Sequence, residues 1–113
     1  MHEITQAVNE GHCWVCDAGG VVAGYATLHY QFFSNPFLGL LITGADFRRQ
    51  GIGSALVNAI EQTLPKPGKL FTSTNESNQP MQALLHKAGF RPTGRVEGLD
   101  DGDPEIFYLK ILS

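Results

Sequence analysis

The chain has 113 residues, a length that supports one domain with a single modest core. Eight Lys and Arg stand against eleven Asp and Glu for a net charge of −3, and the basic residues form no dense run, which argues against nucleic acid as a partner. No apolar run is long enough to span a membrane, the N-terminus lacks a secretory apolar segment, and two cysteines make no disulfide framework, so the expectation is a cytoplasmic protein with no membrane partner.

In chain order, Ile4, Ala7 and Val8 stand at helical spacing ahead of Gly11, which predicts a short amphipathic helix over Met1–Asn9. Cys13-Trp14-Val15-Cys16 opens a strand. Its C-x-x-C spacing, with His2 and His12 nearby, would suit a metal or redox pair only with a second pair or a helix start beside it. Residues three apart on a strand point to opposite faces, so the two cysteines read as ordinary strand residues and no metal is expected. Gly19-Gly20 marks a hairpin turn into Val21–Tyr30, which places Tyr25, Thr27 and His29 on one face and Gly24, Ala26 and Leu28 on the other. Ser34-Asn35-Pro36 turns the chain into Phe37–Thr43, an apolar run that reads as a strand buried on both faces.

Arg48 to Leu64 begins as a glycine loop and continues as a helix. Ile52, Ala55, Leu56, Ala59, Ile60 and Leu64 form its buried face, Asn58, Glu61 and Gln62 lie opposite, and Pro65 stops it. Strand, glycine loop and helix in series present free backbone N–H groups to an anion. Gly51 and Gly53 allow close approach, and Arg48 and Arg49 add positive charge. The local inference is a phosphate cradle. It is not of the Walker type, which needs Gly-Lys-Ser/Thr, nor a dinucleotide fingerprint, since Leu56 stands where a third small residue is required.

Beyond the helix, Pro65-Lys66-Pro67-Gly68 is a loop, and Lys69–Thr74 a short strand, parallel to Phe37–Thr43 because a crossover helix joins them. Residues 78–88 form a second helix with Met81, Leu84, Leu85 and Ala88 as its apolar stripe, Pro80 in its first turn and Gly89 at its C-terminal stop. Arg95–Leu99 and Glu105–Leu112 read as a closing hairpin across Asp100-Asp101-Gly102-Asp103-Pro104, with Ile106, Tyr108 and Lys110 on one face and Phe107, Leu109 and Ile111 on the other.

Arg48-x-x-Gly51-x-Gly53 resembles the pyrophosphate-binding motif of the GNAT superfamily of acyl-CoA-dependent N-acyltransferases. Asn78 through Phe90 resembles that family's later helix, with Asn near its start and Gly-Phe at its end, and the likeness runs from about Val21 to the C-terminus. It implies an α/β (α+β) fold: a mixed, mostly antiparallel sheet with a parallel, splayed central strand pair, flanked by helices. Residues 1–113 would form one such domain, with the family's N-terminal strand and helix region largely missing. It further implies acetyl-CoA as co-substrate and N-acetyl transfer to an amine on a small molecule or peptide. Backbone contacts would come from Ile42 and Thr43, pyrophosphate contacts from Arg48, Arg49, Gln50, Gly51, Ile52, Gly53 and Ser54, and a pantetheine contact from Asn78, which also suits a helix N-cap.

Acyl transfer to an amine also needs a proton acceptor and help for the departing thiolate. Phe37–Thr43 carries no carboxylate, which leaves His29, Asp46 and Glu76, with His29 favoured because imidazole titrates near neutrality. The tyrosine that commonly serves the resembling family as general acid would sit at position 85, where Leu85 stands. Tyr108 is the substitute candidate, with Tyr25 and His86 behind it. Two other readings remain, a non-catalytic acyl-CoA-binding module and an assembly subunit. The missing N-terminal cover implies exposed apolar surface, hence a homodimer.

Overall fold

Alternating apolar residues between glycine turns lay most of this chain out as strands. The computed structural model describes residues 2–6, 12–44 and 51–113. Nine elements follow in order: β1 (His2–Gln6), β2 (Cys13–Ala18), β3 (Val21–Phe32), β4 (Asn35–Thr43), α1 (Ile52–Thr63), β5 (Gly68–Asn75), α2 (Gln79–Lys87), β6 (Arg91–Val96) and β7 (Glu105–Leu112). The strands form one sheet in the order β1-β2-β3-β4-β5-β7-β6. Within it β4 and β5 run parallel and every other neighbouring pair antiparallel. The mixed sheet with its central parallel pair is the fold that the sequence implied. Among the described residues no helix is long and apolar enough to cross a membrane.

Four expectations are corrected. The first is the N-terminal helix: His2–Gln6 is a strand paired with β2 from His2↔Ala18 to Gln6↔Trp14. A nine-residue helix is marginal in water, whereas the open edge of β2 offers a full ladder of backbone partners. Second, the β3–β4 turn is Phe33-Ser34, both at positive φ (51° and 63°), so β4 begins at Asn35 and takes in Pro36. Two left-handed residues match the twist of a two-residue hairpin better than the longer turn that Pro36 suggested. Third, the strand before the last is Arg91–Val96 rather than Arg95–Leu99. It starts directly after α2 and forms the sheet edge, where Pro92 is tolerated. Fourth, on α1 it is Val57 and Glu61 that are buried, while Ala55 is exposed. Glu61 is held by Lys110 of β7, whose Nζ donates to both carboxylate oxygens at 2.9 and 3.0 Å.

Both helices pack on one face of the sheet. Ile52, Leu56, Val57 and Ile60 of α1 and Leu85 of α2 form the core with Trp14, Ala26, Leu28, Leu38, Leu70 and Tyr108. The other face carries Tyr25 beside Ile42, Thr27 beside Leu40, and Phe37 beside Phe71, since cross-strand partners share a face. No described element covers it. Leu40 and Ile42 are therefore 50% and 43% exposed, and β4 is buried on both faces only around Phe37 and Leu38. Part of this open face closes on itself: Phe32 stacks on Phe107 at 5.6 Å and meets Phe37 and Phe71 at 4.9 and 5.1 Å between ring centroids.

Candidate functional site

The parallel pair is short. β4 and β5 are in register only at Phe37↔Phe71 and Leu38↔Thr72, and then part. The cause lies in the next residues of β4. Its register with β3 shifts between Thr27 and Leu28, which leaves Gly39 as the extra residue of a bulge. The Leu40 N–H is turned back toward β3 and donates to Thr27 Oγ1 at 2.9 Å. Thr72 Oγ1 donates to the Leu38 carbonyl at 2.9 Å and satisfies it where the ladder stops. A side chain at Gly39 would crowd this arrangement, because its Cβ would lie 3.0 Å from Thr27 Oγ1 and 3.4 Å from His29 Cδ2. The result is a fork in the sheet, with the β5-facing edge of Leu41–Thr43 left without a strand partner.

The fork opens into a cleft of about 870 Å³, walled by Leu41–Thr43, by Gly51–Ser54, and by α2. The head of α1 faces this space. Gly51 is its N-cap, at φ 74°; no described side chain caps the helix and its first turn has no acidic residue. The first helical bond runs from the Ala55 N–H to the Gly51 carbonyl at 3.0 Å, so the preceding N–H groups have no acceptor inside the helix. Such a helix start suits an anion. Gly53 serves a second purpose: a Cβ there would sit 2.5 Å from Leu84 Cδ1, so glycine lets α2 close against the head of α1.

Asn78 caps α2, its Oδ1 accepting from the Met81 N–H at 3.2 Å, and it also lines the cleft. At the other end Phe90 N–H donates to Leu85 C=O at 2.9 Å, Gly89 N–H donates to His86 C=O at 3.1 Å, and Gly89 sits at φ 96°. This double bond is a Schellman stop, and it fixes the helix relative to the sheet.

The structure thus brings together Ile42, Thr43, Gly51, Ile52, Gly53, Ser54 and Asn78 around one cleft. Arg48, Arg49, Gln50 and Asp46 lie outside the described residues. The wall also holds Leu41, Pro80, Met81, Ala83, Leu84 and Lys87, none of which sequence reasoning assigned to the site. The spacing of Pro80, Ala83, Leu84 and Lys87 along one side of α2 was the available signal.

The catalytic candidates are placed elsewhere. His29 is on the open face, its ring stacked on Phe37 at 5.1 Å and 23°. Its Nδ1 accepts the Gln31 N–H at 3.1 Å. A neutral imidazole so engaged carries its proton on Nε2, so it offers a donor and no free acceptor. Tyr108 is 5% exposed on the helix face, in the row Leu38–Thr72–Tyr108, and is not part of the cleft wall. Burial pushes its hydroxyl pKa up, which keeps it protonated. Leu85 is 1% exposed in the core. Glu76 is exposed and paired with Arg95 at 2.6 Å, and His86 is exposed. Cys13 and Cys16 lie on opposite faces of β2, and burial, then the charge of Asp17, pushes the Cys16 thiol up. Among the described residues no three His, Cys, Asp or Glu gather as metal ligands would.

A family model described as the acetyltransferase (GNAT) family matches residues 1–90. The chain is 33% identical over 75 residues to peptidyl-lysine N-acetyltransferase YjaB of Escherichia coli (strain K12), covering 66% of this chain and 49% of that protein. To the protein of the same name from Salmonella typhimurium it is 35% identical, over 66% of this chain and 50% of that one. The chain therefore spans about half the length of the curated relatives it matches. Among solved structures, a GNAT-family acetyltransferase from Bacillus cereus ATCC 10987 superposes with a TM-score of 0.91 at 30% identity, covering 100% of this chain and 99% of that one. A GNAT-family acetyltransferase from Elizabethkingia anophelis with acetyl-CoA bound gives a TM-score of 0.76 at 20% identity, over 88% of this chain and 75% of that one, a likeness of fold alone.

Proposed function

This chain belongs to the acetyltransferase (GNAT) family, and from that premise we propose that it transfers the acetyl group of acetyl-CoA to a primary amine. The observation that carries the reading is the convergence of an unpartnered strand edge and an uncapped helix start on one cleft. These residues fit the coenzyme's chemistry. The free edge of β4 at Leu41–Thr43 pairs with the amides of an extended pantetheine arm, as an added strand would. The N–H groups at the head of α1 receive pyrophosphate, and Lys87 supplies a cation in the same wall. Asn78 borders the arm from α2. When bound, the thioester supplies an activated acyl group with a fairly good leaving group.

For the acceptor we propose a lysine side chain in a peptide as the first to test, since both curated relatives are named peptidyl-lysine N-acetyltransferases. Charge supports a cationic acceptor. The β6–β7 connection carries Asp100, Asp101 and Asp103, and it is tied to the far end of β5 through Asn75 Nδ2 to Asp100 Oδ2 at 2.8 Å and Ser77 Oγ to Asp103 Oδ2 at 2.6 Å. Negative charge beside the mouth of the fork favours an ammonium over an anionic acceptor. A homodimer and a cytoplasmic setting remain parts of this proposal.

The test is calorimetry with coenzyme A followed by thiol release from acetyl-CoA with lysine peptides and small polyamines. Binding with turnover is expected, and absence of binding would sink the reading. A second reading has one observation in its favour, the buried Leu85 in place of a hydroxyl-bearing residue. On that reading the chain is an acyl-CoA-binding module, and it binds without turnover.

A further inference from the structure

With Nδ1 of His29 taken by Gln31, the acceptor's proton needs another destination, and the open face of the sheet holds one. Ser73 is the first residue of β5 past the fork, and Glu105 opens β7 beside it. The partly buried Ser73 Oγ donates to Glu105 Oε2 at 2.6 Å. Ser73 pairs with Phe107 and Glu105 with Asn75, so both side chains stand on the face opposite the helices, Ser73 one row and Glu105 two rows beyond Phe37 and Phe71. The coenzyme cleft reaches the fork from the helix side. An amine that meets the thioester from the other side therefore passes Ser73 and Glu105.

We propose that Glu105 is the general base of the transfer, with Ser73 as the residue that positions it. The inference rests on the acetyltransferase reading above. The Ser73 hydroxyl occupies Oε2 and fixes the carboxylate plane, which leaves Oε1 for the acceptor. Glu105 takes one proton from the ammonium of the acceptor. The freed amine forms the new C–N bond at the thioester carbonyl, its second proton passes to water, the C–S bond breaks, and the thiolate is protonated by solvent. Among the described residues no Lys or Arg forms an ion pair with this carboxylate. On this face β5 contributes Ser73 and Asn75, β6 contributes Gly94 and Val96, and the β6–β7 connection contributes Asp100 through Asn75. Arg95 is spent on Glu76 and Glu97.

Glu105→Gln keeps the size and the hydrogen-bond acceptor for Ser73 but cannot take a proton. Its coenzyme A affinity by calorimetry is expected to match wild type, while kcat with a lysine peptide falls about a hundredfold or more at neutral pH, the usual worth of a positioned base. The deficit shrinks as pH rises toward the amine's own pKa, about 10.4 for lysine, because solvent then supplies free amine. Ser73→Ala gives a smaller loss in kcat with the same pH trend. A Glu105→Gln enzyme with wild-type turnover overturns the assignment. So does a deficit that is constant across pH, which would mark a structural role. Wild-type protein that binds coenzyme A yet acetylates no amine overturns the base and leaves the coenzyme site standing. Failure to bind coenzyme A removes both.

Discussion

Ser54 shows how a single residue separates fold from ligand at this site. It is the third residue of α1 after Gly51 and lies in the cleft wall. An acidic side chain in a first helical turn stabilises a helix by about 0.3–1 kcal/mol through the macrodipole. The same charge repels phosphate. Ser54→Asp is therefore expected to keep or raise Tm while coenzyme A affinity drops at least about tenfold, or about 1.4 kcal/mol. Calorimetry showing unchanged affinity in a folded Ser54→Asp protein would place the anion elsewhere. Gly53 is a poorer place for this test, because any Cβ there meets Leu84 before it meets a ligand. At this scale the sequence was informative where chemistry depends on backbone. Gly51, Gly53 and Asn78 could be read from spacing because glycine and a cap residue leave a local signature. Glu105 could not, because its partner Ser73 is 32 positions away and only the β5–β7 register brings them together.

Among the elements, the fork depends on a few groups that stop two strands from zipping further. The Leu38 carbonyl is satisfied by Thr72 Oγ1, and Thr72 is 5% exposed. Thr72→Val keeps the shape and removes the donor, which leaves a buried carbonyl without a partner at a cost of about 1–3 kcal/mol. Urea denaturation should show that loss; a Thr72→Val protein as stable as wild type would mean that another group already serves the carbonyl. Elements with both a period and a stop signal were legible in the sequence. The α1 and α2 helices end within one residue of Leu64 and Ala88, because Pro65 and Gly89 forbid continuation. The N-terminal segment had a weak helical period, and its strand identity comes from β2, a neighbour that no local pattern announces. The bulge at Gly39 was equally hidden, since it is defined by the register of β4 against β3.

At the scale of the whole molecule the two faces of the sheet are unequal. Helices cover one, while the other leaves Leu40 at 50%, Ile42 at 43% and Ile111 at 50% exposure. A sheet with one apolar face on the core normally turns a polar face to water. Here the second face carries Tyr25, Leu40, Ile42 and the Phe32–Phe37–Phe71–Phe107 group, which is the pattern of a surface that expects cover. A second copy of the chain placed over the β2–β4 half would bury Leu40 and Tyr25 while leaving Ser73 and Glu105, on the β5–β7 half, open to an acceptor. Sedimentation of wild type at micromolar concentration is then expected to show a dimer. Leu40→Glu puts a charge at the centre of that patch, where burying it unpaired costs several kcal/mol, and should return a folded monomer. Leu40 contributes only its backbone N–H to the bulge, so the fork survives the change and coenzyme A binding should persist in the monomer. A wild type that sediments only as a monomer would rule out the self-covered face. Thiol-release assays on the Leu40→Glu monomer would then show whether the acceptor side works without a partner wall.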